Sequence, residues 1–172
     1  MDSFYEQLVT TYKTGVYKFT GILPYVFIPI GIIFFLMGAV SMVLAVIGII
    51  FIAGGAAAYF LKKYLYVEFE YVFTNGEIDI DKIINVNSRK RVKSFDIKDA
   101  ELVALEDSYE YKDFSNKPSA IINAFPKTCK DKVFVAVVTR GIEKFQLRFV
   151  PNSDFINYCF MRNPRAVKKD II

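Results

Sequence analysis

Histidine is absent from this 172-residue chain. With it go the commonest metal ligand and the commonest general base. Tryptophan is absent as well, and cysteine occurs only at Cys129 and Cys159, with no C-x-x-C between them. A small secreted disulfide scaffold carries more cysteine than this. No glycine-rich phosphate loop, no metal-ligand spacing and no nucleophile–base pair can be picked out, so a hydrolase or transferase ranks last among the functions considered, and no metal or cofactor is expected. A secretory signal is excluded too. Asp2 and Glu6 spoil a basic n-region, and the apolar stretch begins late and runs too long. Asp2 is also not the glycine that myristoylation requires.

The longest absence is of charge. Residues Phe19 to Leu61, 43 in all, carry none, with Lys18 before them and Lys62 and Lys63 after. At ~1.5 Å per helical residue the run would reach roughly 65 Å, about twice the ~30 Å hydrocarbon core. One helix is too long, and two with a tight turn fit. The expected spans are Thr20–Gly38 and Met42–Leu61, joined at residues 38–41. Gly31 and Gly38 are seven apart, as are Gly48 and Gly55. Small residues repeated on one face allow close helix packing, either within the hairpin or between copies in a homo-oligomer. Lys13, Lys18, Lys62 and Lys63 flank the spans and the turn has no charge, so the positive-inside rule predicts a cell-membrane protein with both termini cytoplasmic. No ionisable residue lies within the spans, which argues against a transport pathway in this chain alone.

What precedes the hairpin reads as an amphipathic helix over residues 1–18. Ser3 and Glu6 form an S-x-x-E capping box, and Phe4, Tyr5, Leu8, Val9, Tyr12 and Val16 make one apolar stripe. Such a helix would lie on the membrane or pack on a protein surface.

The segment 62–172 reads as a mainly-β domain. Residues 67–74 alternate apolar and polar, and Asn75-Gly76 is a strong hairpin turn signal. Return strands follow at 77–84 and, past a turn near 85–88, at 89–95. Further strands are expected near 101–106, 119–125, 132–139 and 144–149, with the 132–139 strand apolar on both faces and hence central. Residues 107–118 read as a polar, tyrosine-rich loop. Pro151-Asn152-Ser153-Asp154 opens a helix that Asn163-Pro164 ends.

Seven strands closed by one helix suggest a small barrel or sandwich. The strand 66–74, the turn Asn75-Gly76, the strand 77–84, the Phe95-Asp96-Ile97 step and the junction 149–155 together resemble the bacterial membrane proteins in which two spans precede a pleckstrin-homology-like (PH-like) domain. The likeness extends to small membrane families of Gram-positive bacteria. It implies a PH-like barrel or sandwich plugged by its C-terminal helix, behind a membrane α-hairpin.

Arg89, Arg91 and Lys93 would share one strand face. The resemblance implies that such a basic cluster contacts lipid headgroups, with Lys62 and Lys63 adding to it, and each juxtamembrane cation gains about 1 kcal/mol from an anionic leaflet. The alternative is a solvated edge strand protected by charge. Glu68, Glu70, Asp79 and Asp81 read as the outward positions of amphipathic strands, able to pair with the basic strand. Tyr109, Tyr111 and Phe114 are candidate partner-binding residues, or rings that the loop buries for itself. The charge balance, 22 basic against 18 acidic residues, is too even for a nucleic-acid binder. The expected function is a non-catalytic, membrane-anchored binding or scaffold subunit with the bilayer and a membrane protein as partners; the alternative is an anionic-lipid sensor.

Overall fold

Alternation of side chains shapes the first half of the domain in this computed structural model, which describes residues 3–12, 15–84 and 88–169. The strand β1 (Phe4–Thr10) pairs antiparallel with β2 (Val67–Thr74), with Tyr5 opposite Phe73 and Val9 opposite Phe69. Asn75 and Gly76 then turn the chain with φ of 54° and 109°. Positive φ at both central residues is the type I′ requirement, which Asn-Gly meets at low steric cost. β3 (Glu77–Ile84) and β4 (Ser88–Asp96) complete a sheet in the order β1-β2-β3-β4. A bulge after Ile80 leaves Val92 unpaired in the register.

A short 3-10 turn leads to the second sheet, which contains β5 (Ala100–Leu105), β6 (Ile121–Asn123), β7 (Phe134–Arg140) and β8 (Glu143–Phe149) in the order β5-β7-β8-β6. β7 is central and buried from Phe134 to Val138, as its apolar run requires. β6 is only three residues and runs parallel to β8. Between β5 and β6 lies a short helix, α3 (Tyr109–Asp113).

The last helix, α4 (Ser153–Arg162), begins at Asn152, whose side chain accepts a hydrogen bond from Phe155 N at 2.9 Å. Phe155, Ile156 and Cys159 form its buried face. Phe155 meets Tyr5, Tyr71, Phe73 and Phe149 with ring centroids 6.0–6.3 Å apart, all edge-to-face. Tyr71 adds a polar pin. Its hydroxyl donates to Ala124 O at 2.5 Å and accepts from Val150 N at 3.2 Å. Burial pushes the Tyr71 phenol above its ordinary range and the Cys159 thiol up to about 12.

The apolar segment forms a unit of its own, Thr11–Val67. Its helices are α1 (Gly15–Leu36) and α2 (Met42–Leu65), joined by a 3-10 turn at Met37–Ala39. Both are long and apolar enough to cross a membrane. A Cβ at Gly48 would lie 2.5 Å from Phe35 N and 2.6 Å from Gly31 O, and one at Gly31 2.8 Å from Gly48 O. Gly38 meets Ala45 and Gly55 meets Ile28 in the same fashion. Gly31, Gly48 and Gly55 therefore lie at the α1–α2 contact, and Gly38 lies where the turn meets α2. At the open end of the hairpin, Val67 N donates to Thr11 Oγ1 at 3.1 Å and the Tyr17 and Tyr66 rings stand 6.0 Å apart.

Two expectations are corrected. The N-terminal segment is not a helix over 1–18: residues 4–10 are a strand and α1 begins at Gly15. Its apolar residues fit both periods, and a ladder with β2 decides for the strand. The domain 62–172 accordingly also includes the N-terminal strand, so that the unit comprises Met1–Thr10 and Glu68–Ile172. The segment 62–172 carries the seven expected strands, β2–β8, and β1 adds an eighth among the described residues; the two open four-stranded sheets make the sandwich rather than the barrel. The turn expected at 85–88 falls mostly on 85–87, outside the described residues.

Candidate functional site

Strand alternation gives the first sheet a second face, opposite the aromatic core. On it β1 contributes Phe4, Glu6, Leu8 and Thr10, all exposed. β2 and β3 contribute Glu70, Asp79 and Asp81, and β4 contributes Arg89 and Arg91. Arg89 donates to Glu70 Oε1 at 2.6 Å and stands 3.7 Å from Asp81. Arg91 donates to Asp81 Oδ1 at 2.5 Å and to Asp79 Oδ1 at 2.6 Å. Glu68, Glu70 and Asp81 are buried although they hold outward strand positions, and Glu70, Asp79 and Asp81 pair with the basic strand. Burying a carboxylate requires a partner, and the two arginines supply one for Glu70 and Asp81.

Glu70 is incompletely served. Its side chain is 7% exposed, and Oε2 is buried with no hydrogen-bond donor among the described residues. Burial raises the proton affinity of this carboxyl, Arg89 opposes that, and the neighbouring carboxyl of Glu6 reinforces it. Glu6 is the diagonal neighbour of Glu70 across the β1–β2 ladder, since Leu8 lies opposite Glu70.

The bulge at Val92 separates Lys93, opposite Ile80, from Arg89 and Arg91, which stay together at Asp81. Arg89 and Arg91 are committed to carboxylates, and Lys93 pairs with Glu143 while lying 4.6 Å from the Phe145 ring centroid. Lys62 belongs to the hairpin unit, with its ammonium 5.4 Å from the Tyr17 ring centroid. The side chain of Lys63 lies outside the described residues. Two cations that sequence reasoning passed over stand apart. Lys82 and Lys90 face each other in register on β3 and β4, and neither forms an ion pair among the described residues. Alternation puts them on the face opposite Asp81 and Arg91.

The residues 107–118 fold onto the second sheet. Tyr111 and Phe114 pack against Leu102, Ala104, Val135 and Val137, and the Tyr111 hydroxyl donates to Gln146 Oε1 at 2.6 Å. Only Tyr109 of the three candidate rings stands out in solvent. Its neighbours were legible as aromatics in a polar loop, but their turn inward depends on the apolar outer face of β5 and β7.

Two clefts of about 470 Å³ flank residues 130–132, one reaching Glu106 and Ser108, the other Asn152 and Ser153. Ser108 caps α3 and Asn152 caps α4, so these polar groups serve the backbone. Among the described residues no three acidic or sulfur side chains converge to hold a metal ion.

The family model for a bacterial PH-like domain (DUF6106) matches residues 1–169. The chain belongs to this bacterial PH-like family. The match includes the hairpin, so in this PH-like chain the apolar helices are part of the family's own pattern, inserted between β1 and β2. No curated protein and no solved structure matches the chain. The PH-like sandwich therefore brings together one charged face, a covered apolar face, and a sheet whose first two strands flank the hairpin.

Proposed function

We propose that this PH-like chain is a non-catalytic binding subunit, fixed in the cell membrane by α1 and α2, with its sandwich and both termini in the cytoplasm. One observation carries the reading. β1 and β2 are neighbouring strands, and the apolar hairpin is the connection between them, with Tyr66 alone separating α2 from β2. A domain tied to its anchor through two adjacent strands suits holding a partner at the bilayer. The lysines flanking the hairpin support the cytoplasmic side. Native mass spectrometry of the protein extracted gently from its own membrane tests the reading. A co-purifying protein at fixed ratio is the expected result, and the chain appearing alone would overturn it.

A second reading, contact with acidic lipid headgroups, is favoured by Lys82 and Lys90. Like charges directly opposite in a ladder destabilise it unless an anion offsets them. The rungs they occupy lie toward the end of the sheet from which the chain leaves for α1. Each such cation near an anionic leaflet would gain about 1 kcal/mol. Acidic lipid retained by the wild type and lost in Lys82→Gln/Lys90→Gln would support it. Equal retention would sink it.

A further inference from the structure

The outer face of the first sheet has the opposite sign from the protein. The chain is formally +4. Yet among the described residues Glu6, Glu68, Glu70, Asp79 and Asp81, with Glu77 opposite Asp96 at the turn end, share this face with only Arg89 and Arg91, seven acids against two bases. The arginines are consumed by Glu70, Asp79 and Asp81, and Glu6 is left exposed beside them. Among the described residues Glu70 Oε2 is buried without a donor, and the Glu6 carboxyl is a hydrogen-bonding neighbour of the Glu70 side chain. Two carboxylates in contact, one with an unmet acceptor, form a place where an added cation lowers the energy. Beside them, on the same strand, Phe4 is 60% and Leu8 49% exposed. Charge flanked by large apolar side chains is the composition of a recognition surface rather than of a solvated one.

The geometry points to this face, built on Phe4, Glu6, Leu8 and Glu70, as the docking surface for a cationic segment of a partner protein, with an arginine or lysine of that segment seated against Glu6 and Glu70. The inference rests on the reading of the chain as a binding subunit, and it names the chemistry of the partner. Charge complementarity selects the occupant. An anionic lipid surface would meet net negative charge here, and a neutral apolar helix would leave the carboxylates unpaired.

The test uses the full chain in a phosphatidylcholine nanodisc, which is zwitterionic, and a fluorescent octa-arginine peptide carrying two leucines. The wild type should bind, more weakly as salt is raised. Glu6→Lys reverses an exposed charge without touching the core, and should weaken binding about tenfold or more. Leu8→Ser should weaken it independently. Asp113→Asn/Asp154→Asn, at exposed acids elsewhere, should leave it unchanged. Failure of the wild type to bind, or an equal effect of the Asp113/Asp154 variant and Glu6→Lys, would overturn the site. The two readings fail separately. If a native partner still co-purifies with Glu6→Lys, the docking face is wrong and the subunit stands. If no partner accompanies even the wild type, the subunit reading fails whatever the peptide does.

Discussion

Glu70 sits where a carboxylate is hard to keep ionised. Burial, and then the Glu6 carboxyl, raise its pKa against the pull of Arg89. An acid whose folded pKa is raised binds its proton more tightly in the folded state, so folding is favoured below its unfolded pKa and that support is lost as pH rises through the folded value. Melting temperature should therefore fall from weakly acidic to neutral pH by a component that Glu70→Gln removes, since the amide resembles the protonated form. Melting curves of both proteins at several pH values check this, and parallel pH profiles would refute it. Tyr71 makes the opposite case, a buried polar group fully used. Tyr71→Phe strips Ala124 O of its donor and Val150 N of its acceptor. Leaving such groups unmet costs about 1–3 kcal/mol. Chemical denaturation of the detergent-solubilised chain should show that loss.

At the scale of elements, the N-terminal strand makes the sharpest prediction. β1 supplies an edge of the first sheet and places Tyr5 5.2 Å from the Tyr158 ring, so deleting residues 2–10 should lower the melting point of the domain. A helix resting on the membrane surface could be removed with no such effect. In the hairpin, Gly48→Leu would drive a side chain into Phe35 and the Gly31 carbonyl. Overpacking of this kind costs about 1–3 kcal/mol, measurable as earlier thermal loss of helical signal in micelles. These elements also show how far sequence reasoning reaches. Strands β2 and β3, the Asn75-Gly76 turn, central β7 and helix α4 were legible because each is written in local pattern: period two, a turn pair, a doubly apolar run, a cap. β1 was not, because Tyr5, Leu8, Val9 and Tyr12 satisfy a helical stripe as well as a strand, and only β2, far along the chain, chooses between them. The pairing of Glu70, Asp79 and Asp81 with the basic strand was legible in strand alternation. The departure of Lys93 from Arg89 and Arg91 was not, because it depends on a bulge at Val92.

For the whole molecule, membership of β1 in the same sheet as β2 ties the chain's beginning to its end. Whichever side of a membrane holds the sandwich holds Ser3 as well, and an apolar connection leaving and returning to one sheet must cross an even number of times. Tags placed before Met1 and after Ile172 should thus be accessible from the same side, the cytoplasm in the proposed orientation. Tags on opposite faces would contradict the strand pairing itself. The same connection sets an order in time. During synthesis β1 leaves the ribosome first, but its partner strand follows only after residues 11–67 have emerged. As a slack chain, that intervening length would oppose closure of the ladder by an entropy that grows with its logarithm. Once paired as helices it no longer acts as slack, because its two ends meet where Thr11 bonds Val67. Pairing of the two helices therefore favours completion of the first sheet, and it brings Glu6 of β1 to the charged face that β2, β3 and β4 build among themselves.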